Sequence, residues 1–314
     1  MPAVDAGNGM GGMGRLAWMN VFRFCKALRV LGHVMVLAVL ALVGLSFYAV
    51  AVETLGRGIA HGAPHIMVLD LVLLVVFSTL VFMLVWSYFA AVLTEPGSVP
   101  EDWHPFADDE TATRELQRWN TGGDTLYDRA DPQRPRYCRK CHNWKPERAH
   151  HCSVSGRCIL KMDHYCIWVV NCVGLLNYKF FLLFIAYTWA ACLLAACILM
   201  PGLVEYFRGE KKSGSTLVFL SFVIDAAFVV SLLGFLGMHL KLLSVNCTSI
   251  EMYEKQRIHP WPYNKGWRSN FDEVFGPSWW QWLLPFHTEA ERQRMMDTVL
   301  AAPLIERVGA VEDV

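Results

Sequence analysis

The sequence predicts an all-α polytopic membrane protein, with four transmembrane helices and a cytosolic cysteine-rich domain between helices 2 and 3. Two observations carry that expectation. Hydrophobic residues fill 54% of the 314 positions and the mean hydropathy is +0.30, more apolar character than one water-soluble domain needs. The apolar residues are gathered into four long runs, whereas six of the ten cysteines fall in one polar stretch, Cys138 to Cys172.

The runs Val30 to Val52, Leu71 to Leu93 and Phe180 to Val204 contain no formal charge, and Thr216 to Met238 is interrupted only by Asp225. About 20 apolar residues cross a bilayer core as a helix, in which every backbone N–H and C=O is bonded internally. Basic residues stay on the cytosolic side. Arg15, Arg23, Lys26 and Arg29 precede the first run, while Glu53 to His65 holds only Arg57. The expected divisions are therefore 1–29, a cytosolic N-terminal tail; 30–93, transmembrane helices 1 and 2; 94–178, a cytosolic linker and cysteine-rich domain; 179–245, transmembrane helices 3 and 4; and 246–314, a cytosolic C-terminal tail. The eleven Lys and Arg from Arg114 to Lys161 agree with this orientation, although Arg208, Lys211 and Lys212 lie in the second outer loop, Glu205 to Ser215.

Several alternatives are weighed by the same residues. Lys plus Arg equals Asp plus Glu at 28 each, so no net charge recruits nucleic acid. A cleaved signal peptide is the competing reading of the first run, but signal cores extend about 7–15 residues, and this run is longer. Pro2 excludes N-myristoylation, which requires Gly in that position, and Cys25 is a juxtamembrane thiol open to lipidation. Met1 to Gly14, rich in Gly and Met, reads as disordered. Pro96-Gly97 stops the second helix, and Pro100 to Pro135 reads as a loop-like linker. Asp225 lies well inside the fourth run, where an ionised acid costs roughly 2.5–3.5 kcal/mol, so it should face the bundle interior. Trp279, Trp280 and Trp282 suggest a segment on the membrane surface.

The polar stretch reads Cys138-x2-Cys141-x9-His151-Cys152-x2-Ser155-x2-Cys158-x4-Asp163-His164-Tyr165-Cys166-x5-Cys172. A close Cys-x2-Cys pair followed by His and Cys at short spacing suits tetrahedral Zn²⁺, because short loops can turn thiolates and imidazole toward one ion. Asp163-His164-Tyr165-Cys166 places a thiol two residues from an imidazole that follows a carboxylate. A base can take the thiol proton, and an acid can hold that base in its useful tautomer. In the reducing cytosol these thiols serve metal binding or catalysis rather than disulfides.

On these residues, with Asn177 and Phe181 beyond them, the chain resembles the DHHC family of protein S-acyltransferases (palmitoyltransferases), in a DHYC variant. Thr94-Glu95-Pro96-Gly97 is similar to the family's Asp-Pro-Gly motif, Thr248-Ser249-Ile250-Glu251 to its Thr-Thr-x-Glu motif, and Pro262 through Gly276, with Asn270, to its C-terminal motif. The resemblance implies two zinc sites, each of three cysteines and one histidine. The first would be Cys138, Cys141, His151 and Cys158. The second would be Cys152, Ser155, Tyr165 and Cys172; with Ser and Tyr at two of its four positions, Cys152 and Cys172 are the remnants of a weak or empty site, filled instead by packing and a Tyr165–Ser155 hydrogen bond.

The resemblance also implies chemistry. His164 deprotonates Cys166, Asp163 orients His164, Ser249 contacts Asp163, and the thiolate takes a long-chain acyl group such as palmitoyl from acyl-CoA before passing it to a cysteine of a membrane-associated protein. The basic residues Arg136, Arg139, Lys140, Lys145, Arg148 and Lys161 are candidates for CoA phosphates or anionic headgroups, or are simply a solvated face. The location implied is multi-pass, in the endoplasmic reticulum, Golgi or plasma membrane. A non-catalytic zinc-binding membrane scaffold derived from the same family is the alternative. A metal transporter would need paired polar ligands in several spans, which Asp225 alone does not supply.

Overall fold

A computed structural model of the chain describes residues 21–106, 108–120, 136–209, 215–255 and 260–301. The N-terminal tail before residue 21, Lys211 and Lys212, and much of the linker thus fall outside the described residues, as does the Cys25 side chain. Among the described residues, four helices are long and apolar enough to cross a membrane, over Val34–His61, Pro64–Leu93, Tyr178–Phe207 and Thr216–Ser244. They fit a multi-pass membrane protein.

The first helix outlasts its apolar run. α1 (Val21–Phe47) passes through a π-helical stretch, Tyr48–Gly56, into α2 (Arg57–His61), so most of the expected first outer loop is helical. Arg57 and Glu53 form an ion pair one turn apart, which neutralises the two charges that mark the end of the run, and the helix continues through Gly56 and Gly58 to His61. α3 (Pro64–Leu93) then begins with Pro at its first position, where the missing N–H costs nothing. It ends ahead of Glu95-Pro96, since the residue before proline avoids helical backbone, and Gly97 turns the chain at φ +96°. α5 (Tyr178–Phe207) and α6 (Ser215–Ser244) complete the bundle.

The linker is more ordered than its composition implied. α4 (Asp109–Asn120) occupies part of it. Asp108 caps it by accepting from the Thr111 amide at 2.6 Å, and Ala112 and Leu116 pack against Trp103, Phe106 and Trp144.

The polar stretch is built from β-hairpins, so the chain is mostly helical rather than all-α. β1 (Arg136–Cys138) pairs with β2 (Asn143–Lys145), β3 (His150–Cys152) with β4 (Arg157–Ile159), and β5 (His164–Cys166) with β6 (Asn171–Val173), all antiparallel. Three-residue strands are too short to show a period of two in sequence. The third hairpin docks into the mouth of the bundle, where Cys166, Val169 and Val173 join one apolar cluster with Val39, Tyr88 and Phe181. Asn171 donates to the Ala91, Val92 and Thr94 carbonyls at 3.2, 3.3 and 2.9 Å, satisfying groups that the end of α3 would leave unbonded. Asn177 braces the same hairpin, accepting from Gly174 N at 2.9 Å and donating to Cys172 O at 2.8 Å.

The C-terminal tail folds back over the hairpins as α7 (Glu251–Lys255), α8 (Trp267–Phe275) and α9 (Glu289–Leu300). Asn270 is buried and ties three segments: it accepts from Lys265 N at 3.0 Å and donates to Ser244 O at 2.8 Å and Asn264 Oδ1 at 2.9 Å. Met295, Met296, Val299 and Leu300 of α9 pack on Ala149, Leu160 and Leu175. Of the three clustered tryptophans, Trp279 and Trp280 are exposed, whereas Trp282 packs inward and donates to Gly276 O at 2.8 Å.

Candidate active site

The geometry of Asp163-His164-Tyr165-Cys166 follows from its place on a strand. Side chains alternate across β5, so His164 and Cys166 share one face and Tyr165 takes the other. Cys166 accordingly faces the helical bundle, while Tyr165, directly opposite Cys172 in the hairpin, packs with Cys152, Ile159 and Met162. The extra residue between the imidazole and the thiol is what brings them to the same side.

Asp163 is 2% exposed and fully engaged. Its Oδ2 lies 2.7 Å from His164 Nδ1, its Oδ1 accepts from the Ser249 amide at 2.7 Å, and the Ser249 hydroxyl reaches its backbone oxygen at 2.8 Å and Oδ2 at 3.1 Å. Burial works to raise the Asp163 carboxyl, but the His164 hydrogen bond and charge and the Ser249 amide hold it below its ordinary value. With Nδ1 committed to the carboxylate, His164 Nε2 faces away from Asp163, and Cys166 lies two residues on along the same strand, on the same face. Burial opposes the His164 imidazolium, yet the hydrogen bond to Asp163 and the interactions with Asp163 and Cys166 prevail and push its pKa up to about 9.

Behind Cys166 opens a cavity of about 470 Å³, within the range of about 300–1,000 Å³ usual for small-molecule sites. Cys166 and Trp168 line it together with Val39, Leu84, Phe181 and Leu232, and Ser46 and Asp225 line it too. Asp225 faces the interior as the sequence implied: it is 2% exposed and accepts from Ser46 Oγ at 2.9 Å.

The metal-type residues are brought together in one of the two expected sets. Ligand atoms of Cys138, Cys141, His151 and Cys158 all lie within 4.8 Å of one another. Zn–S bonds of about 2.3 Å and Zn–N bonds of about 2.0 Å give tetrahedron edges of about 3.7 Å for S···S and 3.5 Å for S···N. Cys158 to Cys141 is 3.7 Å, and His151 Nδ1 lies 3.5, 3.1 and 4.0 Å from Cys138, Cys141 and Cys158. These residues could hold a metal ion. Around the second set, Ser155 Oγ lies 3.7 Å from Cys172 Sγ and the Ser155 amide donates to Cys152 Sγ at 3.4 Å. Cys152 and Cys172 share an apolar cluster with Ile159, Met162 and Tyr165, and a serine hydroxyl and a phenol are poor zinc ligands, so this set does not fit the ion.

Two basic residues offered for phosphate binding are engaged elsewhere. Arg148 makes a bidentate pair with Glu251 at 2.6 and 2.7 Å and donates to Asn246 Oδ1 and O at 3.0 Å each, while Lys161 pairs with Glu273 at 2.9 Å. Both are buried. They lock the cysteine-rich domain to the tail that carries Ser249.

Sequence reasoning missed His239 and Tyr178. The His239 ring centroid is 6.1 Å from that of His164, and its Nδ1 is 3.1 Å from the Tyr178 hydroxyl. The signal was available, since a histidine inside an apolar span is costly and usually functional, but the fourth run was ended one residue short of it.

A family model described as DHHC palmitoyltransferase matches residues 131–256. "Probable protein S-acyltransferase 14" of Arabidopsis thaliana is 45% identical over 89% of this chain and 92% of its own length. "Palmitoyltransferase ZDHHC15" of Homo sapiens is 32% identical over 86% of this chain and 83% of its own, and "Palmitoyltransferase ZDHHC2" of Mus musculus 33% over 85% and 75%. The similarity runs through spans, cysteine-rich domain and tail alike, and on it the chain belongs to the DHHC palmitoyltransferase family, the protein S-acyltransferases.

Proposed function

We propose that Cys166 is the nucleophile of a two-step acyl transfer from a long-chain acyl-CoA, such as palmitoyl-CoA, to cysteines of membrane-associated proteins. His164 takes the thiol proton. Cys166 Sγ attacks the thioester carbonyl, the new S–C bond forms as the bond to CoA sulfur breaks, and CoA leaves as a thiol with the proton from His164. A substrate cysteine, deprotonated in turn by His164, then attacks the acyl-Cys166 thioester and leaves Cys166 with its proton restored. Asp163 holds His164 in the tautomer that aims Nε2 at sulfur and stabilises the imidazolium; Ser249 fixes Asp163.

The observation that carries this reading is the position of Cys166, between the Asp163–His164 pair and the apolar cavity. Each methylene moved from water into such a cavity contributes about 0.8 kcal/mol, so ten buried methylenes supply about 8 kcal/mol for holding the acyl chain. The CoA end remains outside the bundle. The relatives favour the enzyme over a scaffold that has lost turnover.

Zn²⁺ at Cys138, Cys141, His151 and Cys158 would staple the first two hairpins and supply folding energy rather than chemistry. The remnants Cys152 and Cys172 hold no second ion in this reading. Both termini and the cysteine-rich domain face the cytosol, in the endoplasmic reticulum, Golgi or plasma membrane, where the substrate thiols are reduced. Release of CoA by purified protein in detergent tests the proposal. Palmitoyl-CoA should be consumed far faster than acetyl-CoA, and neither by Cys166→Ser; equal rates for the two donors, or a Cys166→Ser variant as fast as wild type, would overturn it.

A further inference from the structure

One buried polar atom beside the base has no part in these steps. His239 is 1% exposed, and its Nε2 is buried with no hydrogen-bond partner among the described residues. A buried polar atom left unpaired costs about 1–3 kcal/mol, a cost that a leucine or phenylalanine in the same space would avoid. Its surroundings are otherwise apolar, with Phe235 at 4.6 Å and Phe181 at 5.4 Å between ring centroids, both close to perpendicular. An unsatisfied group of this kind calls for a local reason, and the polar neighbours here are Tyr178 and His164.

From this geometry we infer that His239, anchored by Tyr178, is a positioning residue for the base His164. One hydrogen bond from Nδ1 to Asp163 leaves the His164 ring free to pivot about the N···O line. Phe181, at 5.1 Å and 68° from His164, and His239, at 6.1 Å and 41°, close off that pivot. His239 in turn is held at Nδ1 by the Tyr178 hydroxyl, 3.1 Å away, on the first turn of α5. The fourth and third membrane helices thereby set the angle at which Nε2 of His164 meets sulfur, and they couple it to the cavity wall through Phe181 and Phe235, which line the cavity themselves. Among the described residues, the other titratable groups acting on this pair of imidazoles are Asp163 and Cys166 from the third hairpin, while Cys247, beyond α6, acts on Tyr178.

The inference rests on the Cys166–His164 chemistry proposed above, and the controls separate the two. Self-acylation from labelled palmitoyl-CoA would be followed against pH for wild type, His239→Leu, His239→Asn, Tyr178→Phe and Cys166→Ser, with zinc content and gel-filtration profile in detergent as folding checks. In His239→Leu the loosened ring loses part of its interaction with Asp163 and Cys166, so the rate near neutrality should fall roughly tenfold, a fraction of the 10²–10⁴ that a positioned base supplies, and the limb governed by His164 should move to lower pH. His239→Asn, which keeps an amide near the Nδ1 position, should recover most of the rate and the limb. Tyr178→Phe should move the limb in the same direction by less. A general structural loss would lower the whole profile and leave the limb in place. That result, or a folded His239→Leu with the wild-type rate and profile, would overturn the inference. If His239→Leu does not fold, Tyr178→Phe decides alone, an unmoved limb counting against. A Cys166→Ser variant that still acylates would overturn the nucleophile assignment instead.

Discussion

Replacing Asp163 by Asn changes one atom and should remove most of the reactivity. The carboxylate is the principal favourable partner of the His164 imidazolium, whose pKa stands at about 9 against an ordinary 6.5. A difference of about 2.5 units corresponds to about 3 kcal/mol at 1.36 kcal/mol per unit. His164 is 30% exposed at its side chain, so solvent screening reduces this to about 2–3 kcal/mol. The amide also offers His164 an N–H where it needs an acceptor, which favours the wrong tautomer, and together these effects should lower self-acylation by about 10²–10⁴-fold.

The same variant has a pH signature in stability. Because the folded-state pKa of His164 lies above its unfolded value, its contribution is fully present below about pH 6.5 and is lost as pH rises through about 9. Asp163 is shifted the other way, so its contribution is present above its ordinary value of 3.8 and is lost as pH falls through its depressed folded value. The stability gap between wild type and Asp163→Asn should therefore be widest between about pH 4 and 6.5, shrink as pH rises from 6.5 towards 9, and stay small above that. Thermal unfolding in detergent across that range, beside acylation rates, measures both. A variant that acylates within a few-fold of wild type, or a gap that widens above pH 9, would refute the coupling.

Other outcomes follow from the same structure. Cys158→Ser removes one of four ligands from the metal cluster, and bound zinc measured by atomic absorption should drop below one per chain with loss of folded protein. Ser155→Cys combined with Tyr165→His restores a Cys₃His set around Cys152 and Cys172, and should raise bound zinc by one equivalent; no gain would show that packing has closed the space. Glu251→Leu strips the bidentate partner from buried Arg148 and should destabilise by about 3–5 kcal/mol, since an uncompensated buried charge remains. Chemical denaturation of the detergent-solubilised protein reads this, and an unchanged midpoint would contradict it.

The sequence made the spans legible because hydropathy depends on composition alone. It misjudged their ends, since Glu53 and Arg57 look like a loop until their pairing one turn apart is seen. Asp163, His164, Cys166 and Ser249 converge where their motifs implied, and so do the four first-site ligands. The hairpins were hidden because three residues cannot display a strand period, and α4 because its cap at Asp108 lies in a stretch of loop-like composition. Arg148 and Lys161 were read as phosphate-binding or solvated charges and are instead buried ion-pair partners: burial of a basic residue depends on distant partners, here Glu251 and Glu273, which no local pattern announces. His239 escaped because the fourth run was closed at Met238, one residue short of it, and its pairing with Tyr178 escaped because 61 residues separate the two.

Whether acyl transfer passes through Cys166 is decided by the intact mass of purified protein mixed with palmitoyl-CoA in detergent and quenched in acid, followed by peptide mapping. A gain of one palmitoyl group per chain, located on Cys166, released by neutral hydroxylamine and missing from Cys166→Ser, is the predicted result. Label confined to other cysteines, or none while acyl groups still reach substrate protein, would contradict it.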